Sequence, residues 1–318
     1  MNATQLSNNF GNSTAEKIGK TFAYCLIFLV SLAGNTVIGI IVYKTKTMRK
    51  PINFLIVNMA ISDLLLPVFV IPAEIQSLHT DRSIDSWLIG GPLGQISCKL
   101  YYLLAAVSSA VSIQSLVLIA VDRFGAVVYP LSFPHIRSKL CPFFILATWI
   151  IAMASYSPYL FAVKLVDYQG GLACRLRWNE ALGESSSRNN YLASVLVVFC
   201  FIPLVIIAIL YTTIYLKLKS QKIPGEHSVN AGQQRQRRER NVLKMAIAIV
   251  IGFAVCFLPL SIVWFLSSFA TSIRSFAFQY FFSVAVVMAR ANCATNPCIC
   301  FLFSRSYRKE LRNLFPFL

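Results

Sequence analysis

Charge is scarce in this 318-residue chain: 13% of its residues are charged and twelve are acidic. Soluble domains carry roughly a quarter, so 57% hydrophobic residues and a mean hydropathy of +0.65 exclude a water-soluble globule. Histidine is almost missing. His79, His135 and His227 all fall between the apolar runs, and no metal or nucleophile constellation accompanies them, which argues against an enzyme. Period-two alternation is absent, which argues against a membrane β-barrel, and the internal repeats common in transporters are not visible. Nine cysteines form no disulfide framework in so apolar a chain. Cys25, Cys141, Cys200, Cys256 and Cys293 lie inside apolar runs, where a free thiol behaves as a small apolar side chain.

What the chain has is length without charge. Residues 22–43, 100–121, 140–163, 189–216 and 245–273 are uncharged, while 52–73 and 275–304 carry one charge each, Asp63 and Arg290. Each matches or exceeds the ~20 residues a spanning helix needs. The expected fold is an all-α membrane protein, a seven-transmembrane helix bundle. Segments after spans one, three, five and seven hold nineteen Lys and Arg, against nine in the N-terminus and the other connections. Positive charge is retained inside, so the N-terminus is expected outside the plasma membrane and the C-terminus in the cytoplasm. The formal charge of +17 then describes a basic inner face near anionic lipid, with no need of a nucleic-acid partner. Asn2-Ala3-Thr4 and Asn12-Ser13-Thr14 are glycosylation acceptors in the tail placed outside. Met1 to Phe10 is polar, so span one is expected to act as an uncleaved anchor.

Cys98 and Cys174 differ from the other thiols. One lies at the outer end of span three and the other in the longest outer loop, both in oxidising space, so a bridge is expected between them. It would draw the loop 164–188 across the mouth of the bundle as a lid.

One polar residue or proline marks each span in turn: Asn35, Asp63, Arg123, Trp149, Pro203, Pro259 and Pro297. Gly34-Asn35, Asn58-Met59-Ala60-Ile61-Ser62-Asp63-Leu64, Asp122-Arg123-Phe124, Phe253-x-x-Cys256-Phe257-Leu258-Pro259 and Asn296-Pro297, in this order, resemble the class A, rhodopsin-like G-protein-coupled receptors over essentially the whole chain. Physics supports the punctuation. A proline leaves the carbonyl four residues earlier unpaired and so provides a kink, a hinge or a water site.

The resemblance implies roles. Asp63, Ser112, Asn292 and Asn296 match positions lining a sodium pocket, sodium being an allosteric ligand and the sole cofactor expected. Oxygen ligands suit such a hard cation, although a protonated, hydrogen-bonded Asp63 is the simpler alternative. Arg123 matches the arginine that holds such receptors inactive by pairing with Asp122 and with an acid at the inner end of span six, here Glu239. Phe253, Phe257 and Pro259 belong to the span-six switch, and Tyr211 supports the opened form. Outward movement of span six would then open a cleft for a heterotrimeric G protein.

Several positions depart from the pattern. Phe257 stands where tryptophan is usual and Phe124 where tyrosine is commoner. Cys300 replaces the tyrosine that ends the Asn-Pro motif, which removes a hydroxyl from the usual bridge to Tyr211. Ser304 to Phe315 sets Tyr307, Leu311 and Leu314 or Phe315 on one face and Arg305, Arg308, Lys309 and Arg312 elsewhere, as in an amphipathic helix on the inner leaflet. The chain stops at Leu318, which leaves little tail for arrestin.

For the ligand, Ala105 stands where amine receptors carry an aspartate, and Arg290 close to where opsins carry the retinal lysine; both classes are disfavoured. A guanidinium deep in a span must find an anion. Glu74, three helical turns beyond Asp63, is a plausible partner. Two readings stay open: a structural tie between spans two and seven, or a site where Arg290 receives a ligand carboxylate or an amidated peptide end. Tyr101, Tyr102, Ala105, Ala106, Leu260, Ser261, Trp264, Gln279 and Val286 complete the candidate pocket by the same resemblance. The chain thus divides into a glycosylated N-terminus (1–21), a receptor domain (22–303) and a cytoplasmic helix with a short tail (304–318). A receptor for an extracellular peptide is expected; the alternatives are a small acidic or lipid ligand, or a non-signalling decoy, which Cys300 keeps open.

Overall fold

An uncharged run of two dozen residues can satisfy its backbone away from water by closing hydrogen bonds on itself, and each such run here is mainly helical over its described residues. The computed structural model describes residues 14–80, 86–129, 140–168, 171–183, 185–220, 229–269 and 276–315. Among them, seven helices are long and apolar enough to cross a membrane: α1 (Thr14–Lys44), α2 (Pro51–Leu78), α3 (Gly91–Val128), α4 (Cys141–Ala162), α5 (Ser187–Ser220), α6 (Val229–Phe269) and α7 (Phe276–Phe303). A shorter helix, α8 (Arg305–Leu314), follows at once. Asn2 and Asn12 lie outside the described residues, and Glu239 outside the described side chains.

The bundle is dressed for lipid. Phe22, Leu29, Phe143, Leu216 and Leu302 point outward, each more than half exposed, a surface that water would not tolerate. α2 and α3 form the centre, with 61% and 56% of their most apolar stretch buried against 17% for α4. Wholly enclosed Ile38, Leu55, Met59, Ile113, Ile207 and Ile249 fill the interior. Asn58 gathers three helices: its Nδ2 donates to Ser115 Oγ at 2.9 Å and Thr148 Oγ1 at 3.3 Å, and Trp149 Nε1 donates to its Oδ1 at 2.8 Å.

Two of the prolines are absorbed by widened π turns. Leu66–Val70 contains Pro67, and Val197–Phe201 ends two residues before Pro203, so the missing donors cost a local bulge and not a broken helix. Pro259 and Pro297 stay inside continuous helices. α6 starts at Val229, well before its uncharged run, so much of the inner connection expected at 217–244 is helix.

At one end of the bundle three strands lie over the helices. β1 (Ser86–Trp87), β2 (Val163–Tyr168) and β3 (Gly171–Leu176) form an antiparallel sheet in the order β1-β3-β2, with Leu165 facing Cys174 and Ser86 facing Ala173. The Cys98–Cys174 disulfide bolts β3 to α3, as expected for a lid. Gln95 adds a second fastening: its Oε1 accepts from Leu165 N at 2.9 Å and its Nε2 donates to Val163 O at 3.2 Å. This is the lid end; the opposite one is the Arg123 end.

Candidate functional site

Beneath the lid, the π turn in α2 leaves Glu74 facing the bundle interior despite Pro67 and Pro72. Its Oε1 accepts three hydrogen bonds: Tyr101 Oη at 2.6 Å, Arg290 Nη2 at 2.9 Å and Arg290 Nε at 3.1 Å. Arg290 Nη2 also reaches Tyr101 Oη at 3.4 Å, and its guanidinium lies 5.8 Å from the Tyr101 ring. The tie expected between spans two and seven is therefore present, with α3 as third member. A carboxylate and a guanidinium meet here with 14% and 18% of their side chains exposed. The pair is almost enclosed, so each charge depends on the other.

The remaining pocket candidates separate. Tyr102 packs edge-on against Tyr101 at 5.1 Å and donates to Cys174 O at 3.5 Å, which sets it under the lid. Ala105 packs with Tyr24, Ile71 and Cys293, whereas Ala106 turns toward Tyr156, Trp149 and Phe199. Ser261 is buried, 3.7 Å from Cys200 Sγ, and joins α6 to α5. Leu260 and Val286 are half-buried, while Trp264 and Gln279 are exposed. Sequence reasoning missed a chain of aromatic rings. It runs from Trp87 through Tyr101, Tyr102 and Tyr159 to Tyr191 and Trp178, with centroid separations of 4.8–6.2 Å. Apart from the adjacent Tyr101 and Tyr102, its members lie on separate segments, so no spacing in the sequence points to it.

Midway down, Asp63 is enclosed. Ser112 Oγ donates to its Oδ1 at 2.9 Å and Asn296 Nδ2 to its Oδ2 at 2.7 Å. Asn292 does not bond Asp63. Its Oδ1, with Asn35 Oδ1 and Asn296 Oδ1, is buried without a hydrogen-bond partner. Orphan acceptors are costly in an apolar interior, and a carboxylate with a hydroxyl and an amide hydrogen-bonded to it offers the oxygen donors that suit a hard cation.

At the Arg123 end, Asp122 is buried and pairs with Arg123 within α3, with Arg123 Nε 3.1 Å from its Oδ2. Tyr211 is buried with its hydroxyl unpartnered. Phe253 and Phe257 stack at 4.5 Å below Pro259. Cys300 is fully enclosed. Beside it Tyr307, from α8, is also enclosed, and burial pushes its phenol above the ordinary value. Tyr307 Oη donates to Asn53 Oδ1 at 3.4 Å, and Thr45 Oγ1 to Glu310 Oε2 at 3.2 Å. Ser304 caps α8, its Oγ accepting from Tyr307 N. Leu314 and not Phe315 joins Tyr307 and Leu311 in the core, because Phe315 falls past the helix end and is 40% exposed.

Comparison with known proteins agrees with this geometry. The profile of the 7 transmembrane receptor (rhodopsin family) matches residues 34–299. The chain is similar to the QRFP-like peptide receptor of Branchiostoma floridae, 28% identical over 299 residues that cover 92% of this chain and 76% of that one. It is 29% identical to the RYamide receptor of Drosophila melanogaster over 94% of its own length but only 64% of the relative's. Somatostatin receptor type 5 of Bos taurus is 31% identical over 92% and 74% of the two chains.

Proposed function

The chain belongs to the rhodopsin family of seven-transmembrane receptors, multi-pass membrane receptors and not enzymes, and from that premise we propose that it binds a peptide at the lid end and signals to a heterotrimeric G protein at the Arg123 end. The lid end then faces outside and the Arg123 end the cytoplasm, which the excess of Lys and Arg in the latter's connections supports.

The Glu74, Tyr101 and Arg290 cluster carries the ligand reading. As a whole it is neutral, and the three bonds that Glu74 accepts all fall on its Oε1; Glu74 Oε2 and Arg290 Nη1 take part neither in these nor in the bond from Arg290 Nη2 to Tyr101 Oη. A carboxamide can donate to the first and accept from the second while the pair stays intact. A carboxylate would have to compete with Glu74 for the guanidinium. An amidated peptide end is thus the best chemical match, and the names of the Branchiostoma and Drosophila relatives point to peptide ligands as well. Agonist binding moves α6 outward from the Asp122–Arg123 pair and opens the cleft for the G protein.

A sodium ion would be held by Asp63, Ser112, Asn292 and Asn296, and its positive charge beside Asp63 would favour the closed form. Replacing choline with sodium is expected to raise the melting temperature of the purified receptor by roughly 2–4 °C; Asp63→Asn should erase the difference. An equal shift in that variant removes the sodium site.

The function itself is tested by recording G-protein activation in cells expressing the chain while an animal tissue extract is applied, before and after protease digestion. A response lost on digestion supports a peptide agonist. One that survives favours a small acid or lipid. Saturable binding with no nucleotide exchange favours the decoy reading, to which the missing hydroxyl at Cys300 lends weight.

A further inference from the structure

Gly252 lies inside α6, one residue before Phe253 and seven before Pro259. Glycine weakens a helix interior, so its position asks for a packing reason. The reason is α7. A Cβ added at Gly252 would stand 2.7 Å from Thr295 Cγ2 and 3.1 Å from Ile299 Cδ1. Those two β-branched side chains are four apart on one helix face and are stiff about their first torsion. Thr295 is held further by its own hydroxyl, which donates to Ala291 O at 3.1 Å and lies 3.7 Å from Cys256 Sγ. Its methyl has little freedom to turn aside.

A second glycine grips α7 from another side. A Cβ at Gly34 of α1 would stand 2.6 Å from Pro297 Cβ. The two seats differ in what surrounds them. Across α1 and α7, Asn35 Nδ2 donates to Cys293 O at 2.9 Å, a strong bond into a helix backbone. Beside Gly252, the polar contact among the described side chains is the thiol–hydroxyl approach of Cys256 and Thr295, a weak one.

We infer that Gly252 is a separable seat: its contact with Thr295 and Ile299 holds α6 against α7 in the closed receptor, parts when α6 moves, and so sets the resting activity. This rests on the proposed movement of α6. Residue 252 is about 10 Å along the helix from Pro259, on the Arg123 side, so a swing hinged at the proline displaces it. A contact with no spare space loses much of its attraction over a gap of an ångström or less. Filling the seat and emptying it should therefore both favour the open form.

The test uses the full-length receptor in membranes, with basal nucleotide exchange measured per folded receptor. Gly252→Ala is expected to raise it roughly fivefold. Thr295→Ser, which removes the facing methyl and keeps the hydroxyl, is expected to raise it about twofold by leaving a gap. Combined, the new methyl fills the gap and exchange returns toward the wild-type rate, a coupling of opposite sign to additivity. Gly34→Ala puts the same overlap on the other side of α7 and is expected to lower the folded yield while exchange per folded receptor stays at the wild-type level. Spin labels at positions 50 and 244, both exposed, report the opening without any G protein. If Gly252→Ala and Thr295→Ser lengthen that distance while exchange stays silent throughout, the seat stands and the G-protein reading falls. If neither variant changes the distance, or the double variant adds the two effects, the inference is overturned. Should Gly252→Ala not fold, Thr295→Ser alone decides by the same distance.

Discussion

Two of the ion pairs among the described residues are similar in enclosure and opposite in topology. Glu74 and Arg290 are 216 residues apart in sequence and join α2 to α7, with Tyr101 bringing in α3. Asp122 and Arg123 are neighbours, and their pair lies wholly within α3. The first arrangement fixes helices relative to one another, because separating them strands two charges in an apolar interior. The second keeps a charge neutralised while the helices around it remain able to move. A ligand site needs a fixed frame, and a switch needs stored charge without a clamp. Under the proposed function, each then stands at the end where it would serve.

Four substitutions probe that contrast. Arg290→Met leaves Glu74 uncompensated and is expected to cost about 3–5 kcal/mol, seen as loss of folded receptor and a collapsed melting temperature. Adding Glu74→Leu should restore most of the stability, since a matched apolar pair replaces a buried ionic one well. If the single variant melts like the wild type, the cluster is not a clamp. Arg123→Ala is expected to cost less, about 1–3 kcal/mol, because its pair lies within one helix and its loss separates no helices, although buried Asp122 loses its partner. It should nonetheless abolish ligand-evoked exchange. A stability loss as large as that of Arg290→Met would erase the distinction between the two pairs. Tyr307→Phe should have the smallest effect, roughly 0.5–1 kcal/mol, for one long hydrogen bond to Asn53. Limited proteolysis of α8 would show it, and unchanged cleavage would mean that ring packing alone docks the helix.

The seven spans were legible in the sequence because lipid imposes a length and an absence of charge that a single segment must meet alone. The bridge between Cys98 and Cys174 was legible from its compartment, and Glu74 with Arg290 from the cost of a lone charge. Asp63 with Ser112 and Asn296 followed from the family pattern. What escaped notice was pairing without periodicity. β1 has two residues and acquires its meaning from β3, some 86 positions away in register. The aromatic chain joins five segments by ring contacts, four edge-on and one stacked, that no spacing rule foretells. The tie from Tyr307 to Asn53 spans 254 residues, and the hydroxyl that position 300 lacks is present instead on α8. The π turn in α2 was equally silent, since Pro67 alone could have rotated Glu74 out of the interior.

Gln95 draws a boundary on how a peptide can engage the receptor. By supplying one donor and one acceptor to β2 it occupies, with a side chain, the hydrogen-bonding positions of Val163 and Leu165 that an incoming strand would seek. Extension of the sheet along this stretch is thereby closed to ligands and to neighbouring chains alike. Under the proposed function, a peptide meeting this stretch would be read by its side chains and ends, and selectivity would rest on what it carries at its tip more than on its capacity to lie flat.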